Sequence, residues 1–169
     1  MESKALYKAM LDARDLLDAS NIDKRQHKPG ERCIAFRVAG ECYAIELAVV
    51  KEVISRPAIV PVPGAGPEIL GVINLRGSVV TVINSRDVLS LPGVAEGAQA
   101  RVLVIEEEGH EVGVLVDAVE DIVHVDVELL DPVARDTVAT STRVRGSVTL
   151  GEEIAFLLHR SGLTQRVSA

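Results

Sequence analysis

"GVINLRGSVVTVIN", residues 71–84, is the stretch whose reading decides the fold. Ile73 and Leu75 precede a Leu-Arg-Gly-Ser step, and Val79, Val80, Val82 and Ile83 follow it. Glycine at the second central position tolerates the positive φ that a type II or I′ turn demands. The stretch therefore reads as a hairpin, with strands over 71–75 and 78–84 and Arg76 at its tip. A charge at a turn tip is ordinarily just solvated, and an asparagine such as Asn74 beside a turn commonly bonds nearby backbone. On the residues alone, Arg76 is open between a solvated tip and a binding group. As a bare tip it should tolerate Arg76→Glu with a stability change of only about ±0.5 kcal/mol.

The same pattern continues in both directions. The chain has 169 residues, 47% hydrophobic and 2% aromatic, and 26 of them are valine, which is stiff at χ1 and favours a pleated surface. Short apolar runs separated by turn signals predict ten strands, over 32–38, 41–45, 50–55, 71–75, 78–84, 101–106, 111–116, 118–124, 143–150 and 152–158. Ten strands exceed one tiny barrel, and strand-rich stretches flank residues 85–100. This predicts two small β subdomains joined there by a short helix and loop, with a groove between them. A hairpin turning at Ala39-Gly40 would pair Val38 with Glu41, Arg37 with Cys42 and Cys33 with Glu46, so the two cysteines are not partners. They read as small reduced core residues.

Leu6, Met10, Ala13 and Leu17 line one face of a predicted helix over 4–19, inside an N-terminal segment 1–20. Residues 21–30, polar, locally basic and closed by Pro-Gly, read as a linker. The β domain then covers 31–160 and a tail 161–169. Formal net charge is −7, and four Phe and Tyr residues give few platforms for stacking bases, which argues against nucleic acid as a partner. There is no signal-peptide layout, and no apolar run reaches the about 20 residues of a membrane helix. The expected location is the cytoplasm, without direct membrane insertion.

A search for chemistry finds no catalytic group. His27, His110, His124 and His159 lack metal-ligand spacing to one another or to the cysteines, so no metal and no cofactor are expected. Asp117, Glu120 and Asp121 alternate with Val116, Val119 and Ile122 as a solvated sheet face would, although paired carboxylates at Asp117 and Asp121 are the enzyme alternative. Glu106, Glu107 and Glu108 precede an expected Gly109-His110 turn, the wet end of a hairpin. The glycines of "PVPGAGPEILG" lack the Lys-Ser/Thr of a phosphate loop, and no Gly-x-Ser-x-Gly motif occurs. A binding or scaffolding role is favoured, and a β sensor holding a small molecule in the groove is the alternative.

"GVINLRGSVVTVIN", preceded by "IAFRVAGECYAIELAVVKEVI" and followed by "RVLVIEEEGHEVGVLVDAVEDI", resembles the CheW-type chemotaxis coupling proteins. Asn-Leu-Arg-Gly at positions 74–77 is the most specific part, and the likeness covers roughly 31–158. The resemblance implies two intertwined five-stranded SH3-like β barrels with a groove between them and short connecting and C-terminal helices. It implies no enzymatic activity. It implies an adaptor that joins the cytoplasmic tip of methyl-accepting chemoreceptors to the regulatory domain of a CheA-type histidine kinase. The positions matching the family's receptor contacts are Val50, Glu52, Gly71, Asn74, Arg76 and Gly77, with Val50 giving apolar contact and the glycines close approach. The kinase-facing candidates are Ile59, Val60 and Val62. The family's usual Val-Ile-Asp-Leu-Arg reads Val82-Ile83-Asn84-Ser85-Arg86 here, which removes a carboxylate at position 84. The N-terminal helix resembles extensions on CheW-like proteins of chemosensory systems that serve outputs other than swimming.

Overall fold

The computed structural model describes residues 30–132 and 143–164. The expected helix over 4–19, nearly all of the linker and the tail beyond 164 lie outside the described residues. The ten strands are β1 (Glu31–Val38), β2 (Glu41–Glu46), β3 (Val50–Ser55), β4 (Ile69–Leu75), β5 (Ser78–Asn84), β6 (Arg101–Glu107), β7 (His110–Val116), β8 (Ala118–Val125), β9 (Val144–Leu150) and β10 (Glu153–Leu158). Each predicted strand is present, with ends shifted by two residues at most. Helical structure among the described residues is slight: a four-residue helix α1 (Ser85–Val88) and 3-10 turns at Leu47–Val49 and Val127–Leu129.

Three hairpins turn on a residue followed by glycine, both at positive φ: Ala39 and Gly40 (51° and 84°), Arg76 and Gly77 (52° and 86°), Glu108 and Gly109 (51° and 80°). Positive φ at both centres makes them type I′, whose twist matches that of the strands it joins. The β1–β2 register is the expected one, with Val38 opposite Glu41, Arg37 opposite Cys42 and Cys33 opposite Glu46. The expected Gly109-His110 turn falls one residue earlier, because His110 already pairs with Glu107.

The strands form two five-stranded sheets, β8-β1-β2-β10-β9 (sheet A) and β3-β6-β7-β5-β4 (sheet B). This corrects the expected division at residues 85–100. Those residues connect β5 to β6 inside sheet B, and the chain changes sheets at Leu47–Val49 and at Asp117. Sheet B is one continuous segment, whereas sheet A combines the first two strands with the last three. Each sheet reads antiparallel, antiparallel, parallel, antiparallel, so sheet A repeats sheet B with its chain order permuted. Neither ladder closes on itself into the expected barrel. Instead, single bridges reach the far edges, Val60 to Val72 on β4 and Asp131 to Ser147 on β9.

Alternation assigns the two faces of each strand to different cores. On the concave side of sheet A sit small groups: Cys33, Ala35, Cys42, Ala44 and Ala155 with Leu157. The opposite side carries Ile34, Phe36, Tyr43 and Ile45, which meet Val53, Ile83, Leu103 and Val114 of sheet B in the largest core cluster. The concave side of sheet B holds Ile73, Val80, Val82, Val102, Val104 and Leu115. The sheets are thus joined by packed core rather than separated by an open groove.

Gly71, at φ 151°, lies against the Val60 bridge, and a Cβ there would stand 2.2 Å from the Val60 carbonyl oxygen. Gly77 has nothing near its missing Cβ. Gly77→Ala should therefore cost only the left-handed strain, about 1 kcal/mol, while Gly71→Ala should cost more than about 2 kcal/mol because the bridge must break; urea unfolding midpoints measure both. The cysteines are free and buried, and burial pushes the Cys33 thiol from 9.0 up to about 12. Folded protein keeps a proton that unfolded protein has lost, so this contribution to stability is intact below pH 9.0 and disappears as pH rises towards about 12. Thiolate-dependent reagents should modify the native protein at neutral pH only after denaturant is added.

Candidate functional site

The β4–β5 hairpin builds its own tip. The Gly77 N–H donates to Asn74 Oδ1 at 2.9 Å, so Asn74 works as the turn residue that its chemistry suggests. Arg76, held in the left-handed region by the turn, sends its guanidinium back across the molecule. Its Nη2 donates to Glu52 Oε2 at 2.7 Å. The Arg76 side chain is 68% exposed and that of Glu52 only 4%. Glu52 belongs to β3 and Arg76 follows β4, the two opposite edges of sheet B. The pair therefore spans the open side of the curled sheet, next to a bulge between Val50 and Glu52 that re-aims the strand. Arg76 Nε and Nη1 have no partner among the described residues and remain available for a planar acceptor.

The other expected contacts fall in different places. Gly71 is a glycine because this chain's own Val60 backbone presses on it: Val60 N–H donates to Val72 O at 2.9 Å and Val72 N–H to Val60 O at 2.8 Å. Val50 is fully buried in the core between the sheets, so the apolar surface contact expected of it is absent. Ile59 packs towards the core of sheet B, while Val60 and Val62 project outward. Near Arg76, Val79 is 75% exposed and stands opposite Asn74 on β5. The tip of Asn74, Arg76 and Gly77 with Val79 is one surface; Val50, Glu52 and Gly71 lie beneath or behind it.

Asn84 is buried and does work that a carboxylate could not. Its Oδ1 caps α1 by accepting from Arg86 N–H at 3.3 Å, and its Nδ2 donates to Gly93 O at 2.9 Å and Asp87 Oδ2 at 3.1 Å. A carboxylate at this position would face Asp87 and lose both donated bonds. Arg86 Nη2 instead lies 2.9 and 3.0 Å from the two oxygens of Asp117. Sequence spacing offered no sign of this pair, whose members are 31 positions apart.

The carboxylates considered for catalysis have separate partners. Asp117 takes Arg86, Glu120 accepts from Arg37 Nε at 2.5 Å, and Asp121 Oδ1 accepts from Ile122 N–H at 2.8 Å. Among the described residues no three His, Cys, Asp or Glu side chains are grouped to hold a metal. A cleft of about 770 Å³ opens between the β4–β5 and β6–β7 hairpins, lined by Val79, Thr81, Glu108, His110 and Val112 among others. Its lining mixes the valines with Ser78, Glu107, Glu111 and Thr164. Among the described residues no helix is long and apolar enough to cross a membrane.

The family model for the CheW-like domain matches residues 32–168. The chain belongs to the CheW-like domain family. It is 41% identical over 98 residues to the chemotaxis protein CheW of Bacillus subtilis (strain 168), an alignment that spans 58% of this chain and 63% of that protein. With the chemotaxis protein CheW of Rhizobium meliloti (strain 1021) it shares 31% identity over 113 residues, 67% of this chain and 73% of that one. The crystal structure of scaffolding protein TtCheW from Thermoanaerobacter tengcongensis superposes with a TM-score of 0.72 at 23% identity, covering 81% of this chain and 89% of that chain. That likeness is one of fold: the two five-stranded sheets are the CheW-like architecture.

Arg76 is more than a bare tip, since Glu52 is buried beneath it. Truncation by Arg76→Ala strands that carboxylate and should cost about 1–3 kcal/mol, well above the change expected of a solvated turn. Adding Glu52→Gln to Arg76→Ala should recover much of the loss. A double-mutant cycle by chemical denaturation measures the coupling, and a value near zero would mean that the pair is only a surface contact.

Proposed function

We propose that this chain is a non-catalytic adaptor that couples methyl-accepting chemoreceptors to a CheA-type histidine kinase in chemotaxis or a related chemosensory pathway. The observation that carries the reading is the tip of the β4–β5 hairpin. There Asn74 fixes the turn through Gly77 N–H, and Glu52 holds Arg76 by one nitrogen, the other two having no partner among the described residues. A guanidinium pinned at one nitrogen presents its remaining donors in a known orientation. This suits a carboxylate or carbonyl at the end of a helical hairpin, such as a receptor's cytoplasmic tip. Val79 adds an apolar contact beside it, a role that had been expected of Val50.

Val50, Glu52 and Gly71 serve this surface from below: Val50 anchors β3 in the core, Glu52 holds the arginine, and Gly71 lets the Val60 segment close against β4. The same segment brings Val60 and Val62 to the surface, 61% and 43% exposed, as the kinase-facing patch, with the half-buried Ile59 as its foot. The receptor and kinase surfaces then share one support, sheet B. The protein works in the cytoplasm, recruited to receptor arrays at the inner face of the membrane. No observation favours the small-molecule sensor.

Added to a receptor and a histidine kinase from the same cell, the protein should make kinase activity depend on the receptor. Arg76→Glu should lower co-sedimentation with receptor at least tenfold while leaving the kinase association intact, and Val60→Glu with Val62→Glu should do the reverse. Receptor-independent kinase activity with the parent protein would overturn the reading.

A further inference from the structure

The chain passes from sheet B back to sheet A through one residue, Asp117, between the end of β7 and the start of β8. Its backbone N–H donates to Arg37 O at 3.0 Å, and its carboxylate accepts from Ala39 N–H in the β1–β2 turn. Arg86 Nη2 contacts both oxygens of the same carboxylate. Arg86 is anchored in sheet B, following β5 and donating from Nη1 to Pro92 O at 3.1 Å. One carboxylate therefore holds a turn of sheet A and a cation of sheet B together. At the far end of β6 and β7, the Thr164 hydroxyl, in the turn after β10, donates to Glu107.

Between these ties the sheets meet through Val, Leu, Ile and Phe, whose attraction is strong but carries little directional information. Polar contacts of fixed geometry are what can set the angle at which such faces meet. Arg86 also leaves its Nε buried with no hydrogen-bond partner. An orphaned buried donor is costly, so the arrangement is a poor one if its purpose is stability alone.

We propose that Asp117 and Arg86 form a clasp that sets the angle between the two sheets. They are positioning residues: the clasp determines where the Arg76 hairpin of sheet B stands relative to the surfaces of sheet A.

The test places nitroxide labels at Val79→Cys on sheet B and Ile154→Cys on sheet A, both highly exposed positions. The native cysteines are buried and stay unlabelled. Pulsed electron resonance on the isolated protein should give one narrow distance distribution. Asp117→Ala and Arg86→Gln, the latter keeping the Ala39 bond, should at least double its width or shift its centre while the far-ultraviolet circular dichroism is unchanged. A distribution as narrow as the parent's in either folded variant overturns the clasp, and so does loss of folding in both.

Discussion

A sheet of five short strands has two faces to cover and too little material to cover both. Curling hides one face, but the concave space is narrow, and in sheet A its buried positions are mostly cysteine and alanine, with Val125 and Leu157. The largest side chains of sheet A, Ile34, Phe36, Tyr43 and Ile45, go to the other face, which the second sheet covers. That mutual need explains why Ile34 and Phe36 alternate with Cys33 and Ala35, and why strands buried on both faces read as nearly unbroken apolar runs. It also explains the preference for valine, which fits a pleated surface without demanding depth.

Polar side chains appear where curling brings distant pieces of backbone together. Glu52 and Arg76 join the two edges of sheet B, and Asp117 gathers Arg86 and the β1–β2 turn at a crossing between sheets. Desolvating a carboxylate offsets much of what its partner returns, so such pairs are weak evidence for stability and better evidence for position. At the hairpin tip this has a useful result. The Glu52 contact restrains Arg76, so under the proposed receptor contact less of its side-chain freedom would remain to be lost.

Local signals carried well from sequence to structure. Alternation located all ten strands, and the residue-glycine turns set the β1–β2 register to the residue, because both are properties of a few adjacent positions. The allocation of strands to sheets was not legible. The parallel pairing of β5 with β7, and of β2 with β10, depends on which faces fit after collapse, and no spacing records it. Residues 85–100 therefore looked like a boundary. The site was half legible for the same reason: Asn74, Arg76 and Gly77 announce a turn, whereas nothing in β3 marks Glu52 as buried or Val50 as inaccessible. The family likeness suggested a set of positions, and the geometry divides them into exposed ones, Asn74, Arg76 and Gly77, and buried ones, Val50, Glu52 and Gly71.

The permuted order of sheet A also has a consequence for synthesis. Sheet B is a single run of chain and holds all its strands once Val116 has been made. The β1–β2 hairpin is made first and completed last, since its neighbours β8 and β10 end at Val125 and Leu158. Through most of translation it exists as an apolar two-stranded piece with both edges open, the form most prone to pair wrongly. Its type I′ turn at Ala39 and Gly40 limits that interval, because a hairpin locked in register can wait for its partners without sliding.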